Sequence, residues 1–377
     1  MSVFNAILMD SYRQLRSMFL FWIVLGLSFF VIVFYASIGF NEDGMFLFFG
    51  LVSPESQMLS EDSPLSSLLY RAIFTTFIVG LWLAWIATIL ALISTANIFP
   101  DFMASGAIDI VLAKPVRRTT LFIYKYLASL MFVVLQVTIF CVGVFICMGW
   151  RIGEWDPKIF VAIPVVTLFY SYLFSVCVLI GVRTRSVLVA LLLTFGLWFS
   201  VFGFNTAEGI MLQIRSSAQI EVEDADEQIA DLQAQLDELT DEADNADVAK
   251  ATLQDAIDGH LLSTNGQREL LDKTQPWFNF IRVCKWVLPK TQETINLVNR
   301  SLVKPDAVTM NDIMMGNLDT NEDGDIVKAR NDTDVQMVSR VQEFYDTQSL
   351  WYVIGTSLIF EFLVLALACW MFVRRDF

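Results

Sequence analysis

Six runs of roughly 20 or more mostly apolar residues, at about 18–40, 72–98, 127–149, 159–182, 186–206 and 350–373, punctuate this 377-residue sequence. About 20 apolar residues in a helix cover a ~30 Å hydrocarbon core, where every backbone polar group must be satisfied inside its own segment. The runs therefore predict six transmembrane helices in an all-α integral membrane protein. A content of 55% hydrophobic residues, with 32 Phe and 10 Trp, exceeds that of an ordinary soluble domain. The first run is too long and aromatic for a removable signal and lacks a small-residue cleavage site, so it is read as a span and no processing is expected.

Orientation follows from the cations, since Lys and Arg are retained on the cytoplasmic side. Arg13 and Arg16 precede the first run. Lys114, Arg117, Arg118 and Lys125 lie in the second loop, Arg183 and Arg185 in the fourth, and Arg374 and Arg375 follow the last run. Six spans put all four groups on one face, so both termini are expected in the cytoplasm of a multi-pass protein of the cell inner (plasma) membrane. The opposite face receives 41–71, 150–158 and a large insert, 207–349, between the fifth and sixth spans.

The formal net charge of −15 belongs to that insert, which carries 28 Asp and Glu against 12 Lys and Arg. An acidic balance of this kind argues against nucleic acid as a partner. Cys141, Cys147, Cys177 and Cys369 lie in predicted spans, where a thiol acts as a small apolar group. Only Cys284 lies outside them, so the insert has no internal disulfide.

Within the insert, Val222, Ala225, Ile229, Leu232, Leu236, Leu239, Ala243 and Ala246 recur with heptad spacing and continue to Leu253 and Ile257. This coiled-coil-like stretch, 220–258, predicts one apolar stripe buried against another helix. A turn near Asp244–Asn245 would fold it into an antiparallel hairpin; one continuous helix is the other reading. Its role is either contact with a partner or second protomer, or self-packing. The segment WFNFIRVCKWVL at 277–288 mixes aromatics with cations before Pro289, as in an interfacial helix on a lipid bilayer, and a buried helix of the insert is the alternative.

In the acidic loop 319–326, Asp319, Asn321, Asp323 and Asp325 with Gly324 match the first half of a calcium loop. The twelfth position is Arg330 rather than a bidentate Glu, so calcium and a solvated acidic turn both stay open. Enzyme chemistry is poorly served. His260, the one histidine, lies on the tail of the heptad run, so neither a His-containing triad nor a multi-histidine metal site is expected, and no G-x-x-x-x-G-K-[ST] stretch exists. The chain is expected to be non-catalytic, with no cofactor of its own apart from the calcium question. Glu361, near the centre of the last run, is costly in lipid unless it faces protein or water or is protonated. It reads as a pathway or interface group, or as a structural carboxyl bonded to hydroxyls such as Tyr170 or Ser175. Asn97, Gln136 and Asn205 read as helix-packing residues.

The second loop, 100–126, has Gly106, Ile108, Ile110, Leu112, Lys114, Pro115, Arg118 and Lys125 in an order that resembles the signature loop of type-2 ABC transporter permeases. The start, NAILMDSYRQLRSMFLFW, resembles that family's amphipathic elbow helix, here 1–17. The ending Phe372-Val373-Arg374-Arg375-Asp376-Phe377 resembles its aromatic, basic, acidic finish. The family's acidic residue near the glycine is here Asp101, with Ser105 beside Gly106, and the insert is longer than the family's usual connection. The resemblance covers 1–206 and 350–377.

The resemblance implies a membrane dimer, with itself or a related permease, above two cytoplasmic ABC ATPase subunits that hold the ATP and Mg. Loop 100–126 would be the coupling helix, docking through Ile108 to Leu112, ended by Pro115 and fixed by Arg118 and Lys125. Export of an unidentified substrate is the expected activity. Two other expectations stand beside it: an ABC-type mechanotransmitter acting on an extracytoplasmic partner through 207–349, and a non-ABC membrane scaffold with a calcium-binding ectodomain.

Overall fold

The computed structural model describes residues 19–42, 44–52, 64–103, 117–151, 153, 155–238, 246–302, 318–320, 326–328 and 333–374. The expected elbow helix 1–17 lies outside them, as do Gly106, Ile108, Ile110, Leu112, Lys114 and Pro115 of the second loop. Among the described residues, five helices are long and apolar enough to cross a membrane: Leu68–Phe102, Arg118–Arg151, Pro157–Thr184, Val187–Glu238 and Leu350–Val373. This is a multi-pass, all-α membrane protein. The described strands are two short antiparallel pairs, β1 (Gly39–Asn41) with β2 (Gly44–Phe46) and β3 (Leu318–Thr320) with β4 (Ile326–Lys328).

By contacts the chain divides into two compact units. The first comprises Met1–Val201, Leu288–Lys328 and Ser349–Phe377; the second comprises Phe202–Val287 and Ala329–Gln348. Residues 288–328 thus group with the apolar helices rather than with the rest of 207–349.

In the first unit, α1 (Phe19–Ala36) is an 18-residue apolar helix. Next come α2 (Pro64–Ile73), a π-helical stretch (Phe74–Ala87), α3 (Thr88–Thr95), α4 (Ile98–Phe102), α5 (Arg118–Arg151) and α6 (Ala162–Thr184). A Cβ on Gly143 of α5 would stand 2.6 Å from Ile32 Cδ1, so the Ile32 side chain of α1 packs over this glycine and would have to shift for a larger residue. Arg151 Nε donates 2.7 Å to the Ala36 carbonyl, placing a cation at the negative end of α1. Where the π-helical stretch gives way to α3, the Thr88 hydroxyl donates 2.9 Å to the Leu83 carbonyl, five residues back.

Helix α6 is the centre of this unit. In the most apolar window of Pro157–Thr184, 78% is buried within the protein, against 22% for Val187–Glu238 and for Leu350–Val373. Ser171, Ser175, Cys177 and Gly181 are all buried on α6, and small residues let neighbouring backbones come close without hydrophobic driving force in lipid. Packed around α6 are α5, α11 (Leu350–Val373) and α9 (Thr291–Leu302).

Helix α9 follows Pro289, a residue that cannot continue the preceding helix. It buries Thr291, Glu293 and Thr294 along with Ile295, Leu297 and Val298. The Lys290 backbone N–H at its start donates 2.9 Å to Ser357 Oγ on α11. The Lys290 ammonium sits 4.4 Å from the Tyr352 ring centroid.

Helix α7 runs for 52 residues, Val187–Glu238, and α8 for 42, Ala246–Val287. Residues 202–238 of α7 pair with α8 in opposite directions: Glu208 with Lys285, Arg215 with Thr274 and Gln275, Glu221 with Gln267, and Asp226 with Arg268. The heptad run therefore folds back on itself. Ile220, Ala225, Ile229 and Ile257 of that run are buried. Segment 277–288 falls at the C-terminal end of α8, in a helix that continues through Pro276. Proline removes one backbone donor from that turn. The Arg215 guanidinium covers the same region, donating 2.8 Å to the Leu271 carbonyl and 2.9 Å to Thr274 Oγ1. Helix α10 (Thr333–Asp346) joins this unit through an Arg340–Glu223 ion pair of 2.6 Å.

Candidate functional site

The two stems of the second loop lie side by side in the first unit. The outgoing stem is α4, which buries Ile98, Phe99 and Pro100 and leaves Asp101 exposed. The returning stem is the start of α5. Phe99 meets Phe122 with ring centroids 5.1 Å apart, Phe122 meets Phe372 at 5.7 Å, and Phe102 stacks on Phe372 at 6.2 Å. Aromatic pairs at these separations add about 0.5–1.5 kcal/mol each beyond their buried area. Both stems are thereby tied to the end of α11.

The cations complete this base. Arg118 Nη1 donates 3.2 Å to the Val373 carbonyl, one of the last of α11, where a cation is electrostatically favoured. Lys125 is buried, with its ammonium 5.6 Å from the Phe102 ring centroid. Of the seven residues expected to couple to an ATPase, the structure thus brings together Arg118 and Lys125. The other five, Gly106, Ile108, Leu112, Lys114 and Pro115, lie in the undescribed part of the same loop.

One helical turn beyond Phe122 on α5, Tyr126 meets the carboxyl of Glu361, a residue of α11. Tyr126 Oη donates 2.7 Å to Glu361 Oε1, and Ser171 Oγ donates 2.8 Å to Oε2. Helices α5, α6 and α11 are therefore joined at one buried carboxyl. On the structural reading of Glu361, one of the two left open by the sequence, hydroxyls such as Tyr170 or Ser175 were the expected partners. Tyr170 instead meets Thr95 Oγ1 at 2.5 Å, and the Ser175 hydroxyl donates 2.7 Å to the Tyr172 carbonyl. Each partner hydroxyl has a second acceptor within reach: the Ser171 carbonyl for Tyr126 at 3.2 Å and the Leu168 carbonyl for Ser171 at 2.8 Å.

Gln136, also buried, lines a small cavity with Ser28, Thr88 and Tyr170. The cavity leaves about 10 Å³ for the centre of a water-sized molecule, so it is no substrate chamber.

Comparison with protein-family models, with curated proteins and with solved structures finds no match to this chain.

The acidic loop remains a single described ligand candidate. Asp319 stands in β3, opposite Val327 of β4, while Asn321, Asp323 and Asp325 lie outside the described residues. Among the described residues no group of three or more His, Cys, Asp or Glu is placed to hold a metal ion. Helix α9, with its buried Glu293 and Thr294 against the central bundle, was not among the expected elements. A proline followed by Ile295, Val298 and Leu302 at helical spacing was the available signal.

Proposed function

We propose that this chain is the permease subunit of an ATP-binding cassette transporter, crossing the membrane six times and driven by an ATPase on a separate chain. The observation that carries the reading is the base of the second loop, where Arg118 and the Phe99, Phe102, Phe122 and Phe372 rings tie both stems to the end of the last span. A loop anchored in this way delivers a push on its tip to three helices at once. The order Gly106, Leu112, Lys114, Pro115, Arg118, Lys125 supplies the resemblance to a coupling helix. On that reading the loop and both termini face the cytoplasm, two permeases form the membrane dimer, and the substrate leaves the cell. Glu361 then joins the moving helices near the route or the dimer interface.

The test is Leu112→Asp combined with Pro115→Ala in a correctly inserted protein. Loss of co-purifying ATPase by at least tenfold is expected. Undiminished ATPase binding and coupled activity would sink the assignment. A second reading, mechanical transmission to an extracytoplasmic partner, draws on the separate compact unit formed by 202–287 and 329–348. ATPase stimulation by a defined solute, independent of that unit, would favour transport over transmission.

A further inference from the structure

The antiparallel pair of α7 and α8 changes its polarity along its length. In the stretch holding Asp226 and Arg268, the inside is apolar, with Ile220, Ala225, Ile229 and Ile257 buried. The outside is acidic, and the Arg268–Asp226 and Arg340–Glu223 pairs lie exposed on it. This is how a helix pair is built for water.

In the stretch 202–214 with 277–287 the apolar surface lies outside as well, while Leu212, Phe278 and Ile281 stay buried within. The ion pair Lys285–Glu208 is inside, its side chains 11% and 5% exposed. The outside carries Ile210 at 53%, Phe280 at 56%, Val283 at 69% and Trp286 at 67% exposure. A buried charge pair under an apolar exterior is unfavourable in water and is the arrangement that hydrocarbon demands.

We infer that this stretch of the helix pair is immersed in lipid acyl chains, and that the membrane–water boundary crosses the pair at Arg215 and Gln275–Trp277.

Three observations select lipid as the occupant. First, α7 reaches this stretch without a charge: from Val187 to Ala207 there is no Asp, Glu, Lys or Arg, and Glu208, the first, is paired inward. From Leu188 to Ile214 the helix rises about 39 Å, beyond a ~30 Å hydrocarbon core but within the ~40–45 Å that includes the headgroup layers. Ile214 therefore reaches headgroup depth, next to Arg215. Second, Trp277 to Val287 rises about 15 Å, the depth of one leaflet, and Trp277 at its outer end suits the interface. Third, Trp277, Phe280, Val283, Trp286 and Val287, all exposed, spread over about half the circumference of α8 at 100° per residue. That arc is wider than the seam one partner helix covers, and fluid chains fill it. Arg282, also exposed here, keeps its guanidinium 5.7 Å from the Phe278 ring centroid, and a long cationic side chain of this kind reaches the headgroup layer from an apolar surface.

Leu261 and Leu262 are also exposed, but they stand among Asp258, Gly259, Ser263 and Asn265 in the water-type stretch. Scattered apolar residues of this kind are ordinary on wet surfaces.

This inference rests on the protein being multi-pass and not on which partner drives it. The test uses the full chain in phosphatidylcholine nanodiscs, with the native cysteines replaced and single nitroxides attached at Phe280, Val283, Val287 and Leu262. Collision with dissolved oxygen is expected to exceed collision with a water-soluble nickel chelate severalfold at the first three positions, most of all at Val287, and to reverse at Leu262. Nickel access at Val283 equal to that at Leu262 would overturn the inference. So would a rigid spectrum shielded from both reagents, which would assign the surface to protein, including a second copy of the chain. Variants that do not fold show themselves by losing hydrogen-exchange protection across the Glu221–Gln267 stretch, and a label at the exposed Ile210 of α7 supplies the readout in their place.

Discussion

Among the carboxylates buried in the described residues, Glu361 and Glu208 are satisfied by different chemistry. Glu361 lies among α5, α6 and α11 and receives two hydroxyls, from Tyr126 and Ser171. Glu208 lies between α7 and α8 and receives the ammonium of Lys285. A hydroxyl donates to any acceptor of the right shape, and both hydroxyls at Glu361 also have backbone carbonyls to turn to. An ammonium demands a negative partner and leaves a charge behind when it goes. The hydroxyl site is thus a junction that tolerates change, while the ion pair is one that fails when either half is lost.

The strongest way to break this contrast is Lys285→Met. Stranding one member of a buried ion pair costs about 3–5 kcal/mol. Hydrogen exchange across 205–215 is expected to accelerate accordingly, and Glu208→Leu added to Lys285→Met is expected to restore most of the protection. An unchanged exchange rate in the single variant would mean that Glu208 does not depend on Lys285. Next in size is Glu361→Leu, for which the loss of two hydrogen bonds costs about 1–3 kcal/mol. The fallback carbonyls at Ser171 and Leu168 place it toward the lower end. Thermal melting in detergent gives this number, and a loss as large as that of Lys285→Met would erase the distinction.

Smaller still is Glu361→Gln. The amide oxygen accepts from Tyr126, and the amide N–H donates to Ser171, whose own proton turns to Leu168. A change under about 1 kcal/mol is expected, and a larger one would show that the site needs a carboxyl as such. The smallest effect belongs to Glu269, which is fully exposed. Its hydrogen bond to Lys273, and then the charge of that lysine, hold its carboxyl below the ordinary value. Its contribution is present above the ordinary carboxylate range and is lost as pH falls through the depressed value. Glu269→Gln should remove that acid-side loss, and ~1 M salt should largely mask it in the wild type.

Much of the membrane architecture was legible because hydrocarbon imposes a length. The runs at 127–149, 159–182 and 350–373 fall inside Arg118–Arg151, Pro157–Thr184 and Leu350–Val373. The run at 186–206 was legible in type but not in extent, since α7 continues to Glu238. Composition there turns acidic without any residue that stops a helix, and a change of solvent was read as a change of element. The fold-back of the heptad run was one of two readings, because Ala and Asp around 243–247 permit either. Glu361 announced itself by type alone, as a carboxyl in an apolar run. Its partners did not, because which hydroxyl reaches it depends on how three helices are rotated against one another, and no single helix carries that information. Burial of Glu293 and Thr294 was illegible for the same reason: a short polar-looking helix is buried only by the company it keeps.

The bond from Arg118 to the Val373 carbonyl fixes more than the foot of α11. Twelve residue steps separate Glu361 from Val373 in one unbroken helix. With the foot pinned, the count between them sets the angular phase at which the carboxyl emerges, as an index mark sets a dial. One residue inserted anywhere in that interval would turn Glu361 by about 100° and raise it by about 1.5 Å. That carries it away from Tyr126 and Ser171 without altering either. The interval therefore tolerates exchange of side chains far better than a change in their number.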